Sequence, residues 1–167
     1  MIIGIGGVST AGKSSLAFQL RKYYTPAAKV KILCQDDFIR PESEIPRIQH
    51  HIDWECPESI DHDMYFQALQ RERKVNDIVI SEGLFAFNDE RVSSLYDKRI
   101  FLMISRETFW KRKSADLRWG KEPEWYTKHI WNNYLKYGKI ASERENVLRL
   151  HSDTSIDINK VTQYLSA

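Results

Sequence analysis

The residues Gly7-Val8-Ser9-Thr10-Ala11-Gly12-Lys13-Ser14 follow the pattern G-x-x-x-x-G-K-[ST]. Glycines let the backbone turn so that successive N–H groups converge on one point, which makes an anion cradle. A helix starting near Lys13 would add its positive end. Lys13 then supplies a full charge to the outer phosphates of a nucleotide, and the Ser14 hydroxyl can ligate magnesium. Gly7, Ser9, Ala11, Gly12, Lys13, Ser14 and Ser15 are therefore the expected phosphate contacts. Three acids stand where a parallel α/β sheet places its ligands, beyond the carboxyl ends of strands: Asp36 and Asp37 after one apolar run, Glu82 directly after another. One carboxylate near such a loop can hold magnesium, and another can accept the proton of an attacking hydroxyl. The overlapping Gly4-x-Gly6 is a weak dinucleotide signal, because the rest of that fingerprint does not follow.

These groups must be positioned by short strands and amphipathic helices. Ile2 to Ile5 reads as a buried strand that turns at Gly6-Gly7, and Leu16, Ala17, Leu20 and Tyr24 recur at helical spacing until Thr25-Pro26. Further strands are expected at Val30 to Cys34, Asp77 to Ser81, Arg99 to Ile104 and within Asn146 to His151. Helices are expected from Pro57, with Ile60, Met64 and Ala68 on one face, then over Arg106 to Ala115, Glu124 to Arg144, and from about Asp157, with Ile158, Val161 and Leu165 on one face. The segment Gln35 to Pro57, rich in charge, Pro and His, is longer than an ordinary connection and so marks itself as functional. Strands alternating with helices predict an α/β fold with a parallel sheet covered on both faces.

The chain has 167 residues, the length of a single domain. Its net charge of +2 argues for no nucleic-acid or membrane partner, so any affinity for phosphate must come from local arrangement. No apolar run reaches the length of a membrane span, and Met1 to Gly7 lacks the basic flank of a signal peptide. Cys34 and Cys56 fit neither a metal spacing nor a disulfide framework, which points to a reducing, cytoplasmic setting. His50-His51 reads as solvent or substrate-loop contact. Trp110, Trp119, Trp125 and Trp131 read as core or lid packing.

Three stretches carry a resemblance. Gln35-Asp36-Asp37-Phe38 with Pro41-Glu42-Ser43-Glu44-Ile45, Ile80-Ser81-Glu82-Gly83-Leu84-Phe85-Ala86-Phe87-Asn88, and Trp131-Asn132-Asn133-Tyr134-Leu135-Lys136-Tyr137 are similar to segments of the nicotinamide riboside kinases, within the uridine kinase-like group of P-loop kinases. The matches run from the phosphate loop to about residue 137, and the tail beyond about 150 carries little identity. The resemblance implies a three-layer P-loop NTPase fold with a five-stranded parallel sheet in the order 2-3-1-4-5. It also implies ATP, Mg2+ and transfer of the gamma phosphate to the 5′-hydroxyl of a riboside. Carried onto this chain, Asp36 is the catalytic base, Lys13 holds phosphate, and Ser14 with Glu82 holds the metal. Trp54-Glu55-Cys56-Pro57-Glu58 resembles the family's acceptor segment, so Trp54 would stack on the base and Glu55 would hold ribose hydroxyls. Glu55 is one methylene longer than the family's Asp. Lys113 falls where an Arg is expected and lacks its bidentate fork, whereas Arg112 fits the family's catalytic Arg cluster. Arg118 and Lys121 would belong to a lid over about 112–125, facing a substrate loop over about 36–57.

The resemblance therefore predicts a small-molecule kinase, monomer or homodimer, with nicotinamide riboside as the first acceptor to consider. Uridine or cytidine, pantothenate or a sugar are the alternatives within the class. Uridine kinases carry a pyrimidine-reading hairpin for which the stretch Gln70 to Asn76 leaves no room. The alternative of another class is an ATP-binding regulatory module without catalysis, which would have no need of a base at Asp36.

Overall fold

The computed structural model describes residues 1–118, 120–141 and 146–167. Seven strands are present among them: β1 Ile2–Gly7, β2 Val30–Cys34, β3 Arg47–Ile48, β4 His51–Ile52, β5 Ile78–Gly83, β6 Lys98–Met103 and β7 Val147–His151. Five form one parallel sheet in the order β2-β5-β1-β6-β7. Counted along that sheet alone, this is the order 2-3-1-4-5. The short antiparallel pair β3-β4, which the sequence did not announce, lies inside the long loop and shifts only the numbering. Every residue of β1 and β5 is buried, as central strands covered on both faces require. The edge strands β2 and β7 are only partly covered.

Among the described residues, six α-helices flank the sheet: α1 Lys13–Tyr24, α2 His62–Val75, α3 Glu90–Ser94, α4 Arg106–Ala115, α5 Glu124–Asn133 and α6 Ile158–Ser166. The apolar faces of α1 (Leu16, Ala17, Leu20) and α6 (Val161, Leu165) enter the core with Ile3, Ile5, Ile80, Ile100 and Leu102 of the strands. Phe109 of α4 and Ile130 of α5 close the other side, where Phe109 meets Trp131 at 5.0 Å between ring centroids. Among the described residues, no helix is long and apolar enough to cross a membrane.

Several expected boundaries move. Pro57 opens only a single 3-10 turn, Pro57–Ser59. The chain extends again at Ile60, and α2 starts at His62, because the Asp61 carboxylate caps it by accepting from the Met64 amide at 2.8 Å. The buried face of α2 is consequently Tyr65, Ala68 and Leu69, and Met64 is exposed. The third sheet strand continues past Ser81, so Glu82 and Gly83 are its last residues and not the start of a loop. The fourth spans Lys98–Met103, one residue earlier than expected. The short helix α3, capped by Asp89, was not foreseen. The helix expected from Glu124 to Arg144 is regular only to Asn133. It widens into a π turn, Tyr134–Gly138, and ends at Gly138, packed against Tyr134 and Leu84. Arg144, the expected end, and Trp119 lie outside the described residues.

Candidate active site

Strand register gathers the site. Glu82 pairs with Ile5 of β1 on one side and with Cys34 of β2 on the other. The phosphate loop after β1, Asp36 after β2 and Glu82 at the end of β5 are thus adjacent at one edge of the sheet. Gly83 makes this approach possible: a Cβ there would lie 2.3 Å from Gln35 Oε1. The Gln35 side chain is buried and its Oε1 accepts the Phe85 amide at 2.9 Å, which ties the Asp36 turn to the end of β5.

The loop from Gly7 to Ser14 has the form its composition predicts. Gly7 and Gly12 adopt φ of 149° and 93°, and Thr10 also sits at positive φ, 63°. Such strain at a non-glycine residue is tolerated where the surroundings fix it. The Arg112 guanidinium does so here. It donates to Thr10 O at 3.1 Å, and to Ser152 O at 2.6 Å and Asp153 O at 3.1 Å beyond β7. Arg112, expected at the phosphates, thus braces the back of the phosphate loop. The α1 N-terminus has no side-chain cap and no acid in its first turn, so its amides are left for an anion.

Ser14 Oγ donates to Glu82 Oε1 at 2.7 Å, and Glu82 is buried. A hydroxyl and a carboxylate side by side at a phosphate loop are hard oxygen ligands of the kind magnesium takes, so the donor set fits that ion. Asp36 is exposed in the turn after β2. Its carboxyl is held above the ordinary carboxylate range. Desolvation is the main cause, Glu82 and Asp37 push the same way, and Lys13 and Arg118 oppose them. A raised carboxyl is a better proton acceptor when ionised.

Glu55 is half-buried and lies within electrostatic reach of Asp36. Its carboxyl is pushed up to about 7, first by desolvation and then by Asp36 and Glu122, against the pull of Lys113 and Lys13. Lys113 is buried and its ammonium lies 3.0 Å from both oxygens of Glu122. Beside them, Tyr126 is buried, and its hydroxyl has no partner among the described residues. Trp54 is 39% exposed, and among the described residues no ring or cation stacks on it. Arg118 is exposed and its guanidinium rests on Asp116 at 2.7 Å, within electrostatic reach of Asp36. The exposed His51 meets the rings of Trp125 and Tyr126 on α5, where contact with solvent or the substrate loop was expected of the His50-His51 pair. The Cys34 thiol, pushed up to about 12 by burial and by Glu82 and Asp36, is inert.

Sequence reasoning missed Gln35, Asp53, Glu122, Tyr126, His129 and Asn133. The spacing of His129 and Asn133, one helical turn apart, was the available signal. Nothing in the sequence pairs Glu122 with Lys113.

With this geometry in place, the comparisons are informative. Residues 63–116 match the family model described as Phosphoribulokinase / Uridine kinase family. The chain is 28% identical over 153 residues to nicotinamide riboside kinase 1 of Homo sapiens, covering 81% of this chain and 75% of that one. It is 22% identical over 181 residues to nicotinamide riboside kinase of Schizosaccharomyces pombe, covering 81% and 77%. These similarities support an ATP-dependent kinase. The fold of this kinase is shared with solved structures of low identity. A sugar kinase from Janibacter sp. superposes with TM-score 0.66 at 14% identity, covering 99% and 94% of the two chains. A shikimate kinase from Aquifex aeolicus does so with TM-score 0.56 at 16% identity, covering 99% and 96%.

Proposed function

We propose that this kinase transfers the gamma phosphate of ATP to the 5′-hydroxyl of a riboside, and that the riboside is nicotinamide riboside, giving nicotinamide mononucleotide. The observation that carries this reading is that the carboxylates of Asp36 and Glu55 both lie within electrostatic reach of Lys13, with the exposed Trp54 next to Glu55 in the chain. Asp36 orients the acceptor hydroxyl and takes its proton. Glu55 accepts from the ribose hydroxyls, its extra methylene bringing the carboxylate to the cleft floor near Lys113. The loop amides and Lys13 hold the phosphates, and Ser14 with Glu82 would hold magnesium, which supplies positive charge to the phosphate oxygens. Arg118, on the lid over about 112–125, is placed to leave Asp116 for the transferring phosphoryl group. Chemistry of this kind is positioning and electrostatics, and no nucleophilic side chain is needed.

The charge of the acceptor side favours a cation. Around Glu55 the carboxylates of Asp36 and Glu122 stand with the ammoniums of Lys113 and Lys13, three acids to two cations. A pyridinium ring over Trp54 suits both the acidic surroundings and the aromatic face. Only residues 76 and 77 separate α2 from β5, so the hairpin expected of a uridine kinase has no place there. Coupled turnover with ATP, magnesium and a panel of nicotinamide riboside, uridine, cytidine, pantothenate and a sugar tests the reading. Preference for nicotinamide riboside is expected. Preference for a neutral acceptor would overturn the choice of acceptor, and no turnover on any of them would favour a non-catalytic ATP-binding module.

A further inference from the structure

The acceptor segment is held from outside the substrate loop. Asp53 is buried, and its Oδ1 receives both the Glu55 amide, at 3.1 Å, and His129 Nε2, at 2.7 Å. Asn133 Nδ2 donates to Glu55 O at 2.9 Å. It also lies 3.0 Å from His129 Nε2. A carboxylate only accepts, so the proton is on Nε2 and the imidazole donates to Asp53. Both backbone polar groups of Glu55 are therefore fixed, the N–H through Asp53 and the C=O through Asn133. Both fixtures lead to α5, the helix that follows the lid, and His129 and Asn133 stand one turn apart on it. The loop itself contributes little regular structure here. The pair β3-β4 has two residues per strand, and Trp54 and Glu55 lie outside any strand or helix.

We propose that His129 and Asn133 are positioning residues that set where Glu55 and Trp54 present themselves to the acceptor, so that α5 and not the substrate loop determines acceptor affinity. The proposal rests on the riboside kinase reading for its catalytic consequence but not for its structural one. Neither residue touches the phosphate loop in the described contacts, and ATP affinity is therefore untouched by their loss. The interaction of His129 with Asp53 is a hydrogen bond to a charged group, strong enough to matter at about tenfold in an equilibrium.

The test compares His129→Leu, which removes the donor, with His129→Gln, whose side-chain amide can donate from nearly the same place. Lys128→Ala, on the exposed face of α5, is the control. Two quantities are read: amide hydrogen exchange of the peptide covering Trp54 to Cys56, and KM for acceptor beside KM for ATP. In His129→Leu the exchange of that peptide should accelerate about tenfold, with acceptor KM raised about tenfold and ATP KM within about twofold of wild type. His129→Gln should recover most of both, and Lys128→Ala should change neither. A general loss of folding would raise exchange throughout and would not spare ATP KM or respond to Gln. Unchanged exchange and unchanged acceptor KM in His129→Leu would overturn the proposal. If the wild-type protein phosphorylates none of the ribosides, the acceptor reading falls, and the exchange comparison still decides whether α5 holds the segment.

Discussion

Replacing Glu55 with Gln should make the protein more stable and a poorer kinase, and the gain should depend on pH. In the folded chain the Glu55 carboxyl is pushed from 4.5 to about 7, chiefly by desolvation. A carboxyl raised on folding favours the protonated form in the native state. Its stabilising contribution is therefore fully present below about pH 4.5 and is lost as pH rises through about 7. The span between those two values corresponds to roughly 3 kcal/mol at 1.36 kcal/mol per pH unit. Solvent entering the cleft trims this, so an advantage of about 1 to 3 kcal/mol is expected for Glu55→Gln at pH 8. The Gln side chain keeps the volume and the hydrogen-bonding character of the protonated acid, so the advantage should vanish near pH 4.5. Urea unfolding of both proteins across pH 5 to 8 measures the difference directly. Under the same conditions acceptor KM of the wild type should fall as Glu55 ionises, and that of Glu55→Gln should be high and flat. A stability difference that does not change with pH would refute the reasoning, because the carboxyl would then not be raised by its place in the cleft.

Other consequences follow from single residues. Trp54→Ala should raise KM for nicotinamide riboside about two- to thirtyfold, the range of a cation over an aromatic face, and should affect a neutral riboside less. Steady-state kinetics with both acceptors separates charge from simple contact. Glu82→Gln should raise the magnesium concentration needed for half-maximal activity, seen in a magnesium titration at saturating ATP, because Ser14 then keeps a neutral neighbour in place of a carboxylate. Gly83→Ala should lower the unfolding free energy measured by urea titration by about 1 to 3 kcal/mol, because its Cβ would drive the buried Gln35 side chain off its hydrogen bond to Phe85.

The phosphate loop was legible because its function is carried by residues contiguous in sequence, and strand register then delivers Asp36 and Glu82 to it. The alternation of strands and helices likewise announced the sheet, since central strands such as β1 and β5 are buried on both faces and read as unbroken apolar runs. Helix ends were less legible. Pro57 looks like a helix start, but the Asp61 cap takes that part four residues later, and Gly138 ends a helix whose polar residues give no stop signal before it. The acceptor side was half legible. Trp54 and Glu55 could be read from resemblance, whereas the groups that hold them come from α5, more than seventy residues away in sequence. Arg112 shows the same limit. Its type suggests phosphate, and only the fold reveals that its donors reach the carbonyls of Thr10, Ser152 and Asp153.

The central claim is that the gamma phosphate passes from ATP to the 5′-oxygen of nicotinamide riboside in the cleft of Asp36. Phosphorus NMR of a reaction with ATP, magnesium and nicotinamide riboside, run with wild type and with Asp36→Asn, tests it most directly. The account predicts a 5′-phosphomonoester signal growing as ATP is converted to ADP. In Asp36→Asn that signal should grow about a hundredfold to ten-thousandfold more slowly, while ATP binds with nearly unchanged affinity. Free phosphate as the main product, or equal rates in the two proteins, would contradict it.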